Sequence, residues 1–300
     1  MNHHPRKTPA SPRPDQPVEI VTADQVPLKG RLHLPDAAVR QAIVLHGATG
    51  VPARYYQAFA RWLSDREDAA VLIYDYRDFG WSQRGRVKAS RASISDWALH
   101  DQEAALLFML DRFTPRPVEV VGHSLGALGL ARHARAGEVA RLTAVASGPA
   151  YWLDHPLSYL PKVLMFWWLL GPAAVAAVGY LPGRRLGFGA DLPAEVYWEW
   201  RRWCLSRDFN ETEWQSRSEG APQALRCPVT IVGIEDDVVI SPSMVQRLAR
   251  SYPQAETSFR VISPTALGLG PIGHIGVFHE RNALAWPLLR PRSGTRPELF

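Results

Sequence analysis

VEVVGHSLGALGLARHARAG, residues 118–137, is the stretch on which the reading of this chain turns. Val118, Val120 and Val121 form a short β-branched run of the kind that fills a strand buried on both faces, and residues 125–135 are rich in Ala, Leu and Arg, which favour helix. Gly122-His123-Ser124-Leu125-Gly126 therefore sits at a strand-to-helix turn. A G-x-S-x-G match alone does not separate a nucleophile from an ordinary serine in a linking turn, but the flanks favour the nucleophile. A sharp turn packed against its neighbours leaves no space for a Cβ at Gly122 or Gly126, and it lifts the Ser124 hydroxyl above the sheet edge. The same turn sets the Leu125 N–H at a helix start, where backbone donors lack partners.

Three hundred residues with 46% hydrophobic content can bury a large core, and the length suits one large domain with an insertion, or two modest domains. Residues 1–17 hold five prolines and no apolar run, which predicts a flexible tail and not a secretory signal, with His3 and His4 read as tail and not as ligands. The formal net charge is +5, yet no basic stripe with interleaved aromatics and no nucleic-acid motif accompanies it, so nucleic acid is not an expected partner. Cys204 and Cys227 make neither a disulfide framework nor a metal cluster. A reducing compartment, the cytoplasm, fits best, and no metal or other cofactor is expected.

Strands and helices alternate along the chain. Residues 18–21 and 26–34 read as a hairpin, 42–45 as a buried strand ending in His46-Gly47-Ala48-Thr49-Gly50, and 70–74 as the next strand, running into Asp75-Tyr76-Arg77. Residues 55–63 and 94–113 have helical spacing, and 142–146 is a strand beyond the elbow helix. This alternation predicts an α/β fold, a mostly parallel sheet with helices on both faces and a ligand site beyond the carboxyl ends of the strands. Asp78-Phe79-Gly80 spells a kinase magnesium motif, but no glycine-rich phosphate loop or HRD-type segment accompanies it.

From 150 to 216 the pattern changes. Seven of the eleven tryptophans fall here, at 152, 167, 168, 198, 200, 203 and 214, and strand alternation stops. The stretch reads as a helical lid inserted into a core made of residues 18–149 and 217–300. Residues 163–183 are uncharged and long enough on paper to cross a bilayer. Gly171-Pro172 is expected to break that run, and a span would send two halves of one sheet to opposite sides of a membrane. A pair of helices capping an apolar pocket is the preferred reading, with Trp-rich faces that could also touch lipid as a peripheral contact.

Alternation resumes with a strand at 228–234, ending in Glu235-Asp236-Asp237, and another at 259–262, followed by Gly273-His274. An acid at one strand end and an imidazole after the next is what a nucleophilic serine needs. Near pH 7 the hydroxyl attacks only if a neutral histidine takes its proton, and the histidine needs a carboxylate to hold its tautomer. The chain order is Ser, acid, His.

His46-Gly47, Asp75-Tyr76-Arg77 with Gly80 and Ser82, the GHSLG elbow, the EDD stretch and the late Gly-His together resemble the alpha/beta-hydrolase superfamily over nearly the whole chain beyond the tail. HGATGVPARYY (46–56), YLPGRRLG (180–187) and GLGPIGHIGVFH (268–279) resemble most a group of predicted bacterial serine hydrolases related to lysophospholipase and serine-aminopeptidase-like proteins. The resemblance implies Ser124 as nucleophile, His274 as general base, and the backbone N–H groups of Ala48 and Leu125 as the oxyanion hole. His46 and His123 are weaker base candidates, because the family places them as neighbours of the oxyanion loop and of the elbow. For the acid it implies Asp237 when counted from Pro228 and Asp236 when counted from Gly233. Asp237 is favoured, and the ambiguity arises because Ile234 stands where many relatives have a glycine.

The expected function is a serine hydrolase that cleaves a small-molecule carboxylic ester or thioester with an apolar acyl group through an acyl-enzyme on Ser124. A peptidase or a carbon–carbon bond hydrolase on the same scaffold is an alternative, because fold does not fix function. A non-catalytic, membrane-associated module is the competing class. Its mark would be a missing serine or histidine, and neither is missing.

Overall fold

The computed structural model describes residues 15–211, 213–214 and 225–290. Most of the tail expected at 1–17 and the final part of the expected lid therefore lie outside the described residues. Gln16 and Pro17, expected in the tail, belong to the first strand.

Ten strands are described: β1 (Gln16–Val21), β2 (Pro27–His33), β3 (Gln41–His46), β4 (Ala69–Tyr74), β5 (Val118–His123), β6 (Val139–Val145), β7 (Tyr180–Leu181), β8 (Leu192–Pro193), β9 (Val229–Ile234) and β10 (Thr257–Ile262). Eight form one sheet in the order β1-β2-β4-β3-β5-β6-β9-β10, and β7 and β8 form a separate antiparallel pair. The β1–β2 hairpin joins β4 antiparallel, and every pairing from β4 to β10 is parallel. A mostly parallel sheet is what the resemblance implies, and parallel pairing sets the carboxyl ends of the central strands along one edge.

Side-chain alternation splits the core into two layers. Ala42, Val44, Leu72 and Val120 face the layer that holds the helix Gln102–Phe113, and Ile43, Leu45, Ile73 and Val121 face the layer that holds the helix Gln57–Glu67. Strands covered on both faces read as continuous apolar runs, which is why β3 to β6 are legible in the sequence. The helix expected at 94–113 is present, with a wider π turn over Asp96–Asp101.

Two expected features are corrected. No regular α-helix follows the elbow. Residues 124–138 form successive 3-10 turns at Ser124–Ala127, Leu130–Arg132 and Ala136–Glu138. Here packing overrides propensity, because Gly129 is drawn so close to the Ala98 carbonyl that a Cβ would lie 2.4 Å from it, and His133 Nε2 donates to the same oxygen at 2.8 Å.

Nor does Gly171-Pro172 break the helix it interrupts, which runs unbroken over Leu160–Val178. A π turn at Phe166–Leu170 precedes the proline, and the Gly171 N–H reaches back to the Phe166 carbonyl. The wider turn accommodates a residue that has no N–H to give. The chain reverses instead at Gly179, whose φ of +79° ends the helix, and the second long helix of the segment is Ala194–Leu205. The segment between β6 and β9 is tied to the core at Glu199, whose carboxylate accepts from the Ser95 N–H at 2.9 Å and the Ser95 hydroxyl at 2.7 Å. At Ala190 its N–H donates to the Gly50 carbonyl at 2.9 Å.

Candidate active site

Ser124 directly follows β5 and has a φ of +53°, in the left-handed region that residues with a Cβ seldom occupy. Its neighbours show why. A Cβ on Gly122 would lie 2.5 Å from the Gly126 carbonyl oxygen, and one on Gly126 would lie 2.1 Å from the His46 carbonyl oxygen. The two glycines let three backbones meet beneath the serine, and the buried Ser147 hydroxyl donates to the Ser124 carbonyl at 2.5 Å.

The structure brings Ser124, His274 and Asp237 together. The Ser124 Oγ lies 3.1 Å from His274 Nε2, and His274 Nδ1 lies 2.8 Å from Asp237 Oδ2. A carboxylate can only accept, so the ring proton belongs on Nδ1 and Nε2 turns its lone pair to the hydroxyl. The other oxygen of Asp237 accepts the N–H groups of Val239 and Ile240 at 2.8 and 2.9 Å, which leaves the buried carboxylate no freedom to rotate. Asp236 does not face the imidazole. Its two oxygens accept the N–H groups of Ile272 and Gly273 at 2.8 and 2.9 Å, so adjacent aspartates hold the same loop by its ring and by its main chain.

Ala48 departs from the expectation. Its N–H donates to Tyr56 Oη at 2.9 Å, and the cavity wall at Ser124 includes Thr49 and Leu125 but not Ala48. Tyr56 in turn donates to His123 Nδ1 at 2.8 Å, and His123 Nε2 donates to the His274 carbonyl at 3.0 Å. This relay joins the loop after β3, the elbow and the backbone of His274. Residue type alone assigns Tyr56 no place in this relay and does not reveal that Asp236 holds the Ile272 and Gly273 main chain. The available signals are the Ala53-Arg54-Tyr55-Tyr56 run and the doubled aspartate. His46 is fully buried, with Nδ1 2.7 Å from Tyr74 Oη, and the ring bonded to the serine hydroxyl is that of His274.

Burial, and then the proximity of His274, push the pKa of His123 down to about 3. The folded protein therefore holds this ring neutral where the unfolded chain, with an ordinary imidazole near 6.5, would bind a proton. The corresponding stability is fully present above pH 6.5 and is lost as pH falls from there toward 3. Burial lowers the pKa of His46 and His133 as well, so they act in the same direction. Asp75 and Asp101, whose burial raises their pKa values to about 6 and about 7, act in the opposite direction over part of this range. The relay is therefore tested by difference: between pH 8 and pH 4 the melting midpoint of the wild type is expected to fall further than that of a His123→Gln variant, and equal falls would contradict the buried neutral ring.

The cavity beside Ser124 has a volume of about 320 Å³. Ser124, Leu125, Thr49 and His274 supply the end nearest the strand edge, and the segment between β6 and β9 supplies apolar wall from Val163, Phe166, Trp167, Trp200, Trp203 and Phe209. Among the described residues, no aspartate or glutamate lines it, and Lys162 is its one lysine or arginine.

A sequence model of the alpha/beta hydrolase family matches residues 42–285. The chain belongs to the alpha/beta hydrolase family. Among curated proteins no sequence matches. Solved structures similar to this alpha/beta hydrolase include an esterase of Pyrococcus furiosus, at 16% identity over 96% of this chain and 97% of that one with a TM-score of 0.57. A hydrolase of Pseudomonas aeruginosa is similar at 20% identity over 91% and 97% of the two chains, with a TM-score of 0.54. A thermophilic esterase of Thermogutta terrifontis is similar at 15% identity over 91% and 96%, also with a TM-score of 0.54. At these identities the likeness is one of fold.

Proposed function

We propose that this alpha/beta hydrolase is a serine esterase acting on a small-molecule carboxylic ester with an apolar acyl group. One observation carries the reading: Ser124 Oγ, His274 and Asp237 form a continuous hydrogen-bonded chain, 3.1 and 2.8 Å long at its two links, at the wall of an apolar cavity. In the proposed reaction His274 Nε2 takes the Ser124 proton as Oγ attacks the carbonyl carbon, and Asp237 stabilises the imidazolium that forms. The imidazolium then protonates the departing alkoxide or thiolate, and the acyl group stays on Oγ. Water activated by the same nitrogen releases the acid and restores the hydroxyl.

With Ala48 N–H engaged by Tyr56, the negative oxygen of the tetrahedral intermediate is assigned to the Leu125 N–H and to Thr49, in place of the Ala48–Leu125 pair. The solved esterases with this fold support the reaction class. The lining argues against an aminopeptidase: a free α-ammonium group calls for a carboxylate, and among the described residues none lines the cavity.

The cavity lies at the small end of the ligand-site range of about 300–1,000 Å³. With p-nitrophenyl esters of graded length, kcat/KM is expected to rise from acetate to medium acyl chains and then level off. Best turnover on acetate, or selective release of amines from peptides, would overturn the substrate assignment.

A further inference from the structure

We propose that the outward face of the helix Leu160–Val178 docks the protein on an anionic lipid bilayer, with the helix lying in the plane of the interface. The docking itself does not depend on the chemistry at Ser124.

This helix is apolar on two sides. Val163, Trp167, Gly171 and Val175, spaced four apart, are buried against the rest of the segment. On the other side Leu164, Met165, Trp168, Leu169 and Leu170 are exposed, Leu169 at 62%, and Leu157 just before the helix is 86% exposed. A surface helix ordinarily turns charged and polar residues outward, yet Lys162 is the only charged residue between 160 and 178. Contiguous exposed apolar surface of this kind marks an interaction site.

Charge identifies the occupant. From His155 to Ala190 the charged residues are Lys162, Arg184 and Arg185, with no aspartate or glutamate among them. All three are exposed, and none has an ion pair among the described residues. Arg201 adds a fourth cation, lying 5.9 Å from the centre of the Trp168 ring. An apolar face with tryptophan, flanked by unpaired cations, fits the boundary between acyl chains and anionic headgroups. Two copies pressed together through this face would set Lys162, Arg184 and Arg185 of one against those of the other, while the neighbouring acid Asp191 already accepts the Arg184 main-chain N–H at 3.1 Å.

The helix lies flat and does not span. It is about 28 Å long at 1.5 Å per residue, but Trp167 packs edge-on against Trp200 with ring centres 5.1 Å apart, and Gly171 fits so closely to Tyr197 that a Cβ would lie 2.1 Å from its hydroxyl. Crossing a bilayer would strip Val163 and Trp167 from the cavity wall. Because Tyr159, Lys162 and Phe166 also line the cavity, the docked face and the route to Ser124 share one helix. A lipid-soluble ester could then enter from the membrane side.

Flotation of the full chain with vesicles tests this. Wild type is expected to float with phosphatidylcholine vesicles containing phosphatidylglycerol, less with phosphatidylcholine alone, and less at high salt. The double variant Leu157→Glu/Leu169→Glu removes two exposed apolar contacts that lie outside the cavity lining. It is expected to reduce partitioning about tenfold or more while turnover of a soluble short ester is retained. Arg184→Glu/Arg185→Glu, which leaves the apolar face intact, is expected to reduce it on anionic vesicles only. Ser124→Ala should float as wild type does, which separates docking from catalysis. Absence of flotation with anionic vesicles overturns the proposal, as does flotation unchanged by both double variants. A wild-type dimer that the leucine variant converts to monomer, without vesicle binding, would assign the face to a second copy and overturn it equally.

Discussion

Ser124→Ala is expected to lower turnover of the best ester by about four orders of magnitude or more and to abolish labelling by a fluorophosphonate probe, with the fold unchanged. In the proposed reaction the Ser124 hydroxyl carries the acyl group, and a methyl group at this position leaves His274 with no hydroxyl to deprotonate there. Removing the nucleophile or the base of such a unit costs about as much as removing all of it. Folding should survive, because Ser124 is held by its backbone: the positive φ, the two flanking glycines and the Ser147 bond to its carbonyl do not involve Oγ. Activity and labelling retained in Ser124→Ala would remove the assignment altogether.

The second large effect separates the two neighbouring acids. Asp237→Asn is expected to lower kcat by about 10⁴, because an amide facing Nδ1 can offer its NH₂ and stabilise the tautomer whose Nε2 carries the proton and cannot accept another. Asp236→Asn should act differently. It weakens the grip on the Ile272 and Gly273 N–H groups and lets the loop shift, at a cost of about a hundredfold or less. A side-by-side measurement of kcat and its pH profile decides. An Asp236 variant more damaged than the Asp237 variant would reverse the roles of the two carboxylates.

Residue types alone carry the reading as far as the strand ends. Ser124, Asp237 and His274 each follow an apolar run bounded by glycine or acid, and in a parallel sheet such ends must share an edge. The choice between Asp236 and Asp237 is not legible in the same way, because counting from Pro228 and from Gly233 disagrees and only the observed β9, ending at Ile234, fixes the turn that follows. Ala48 is misread from sequence because its N–H is satisfied by a side chain eight residues on, and no local pattern reveals that the Tyr56 ring returns to it. The helix expected after the elbow yields to the approach of Gly129 to Ala98. The break expected at Gly171-Pro172 is absorbed by one widened turn, an option that propensity scales do not represent. All four cases turn on tertiary contact or backbone adjustment. None concerns which residue types are present.

The two ends of the cavity come from different stretches of chain. The turns and loops that follow β5, β9 and β10 hold Ser124, Asp237 and His274, and at the elbow even a methyl group on Gly126 would collide with His46, while much of the greasy lining is borrowed from the excursion between β6 and β9. Chemistry and taste are thereby inherited separately. Descendants of this sequence can exchange one preferred molecule for another by rewriting the excursion, and the bond-breaking apparatus need not change with it.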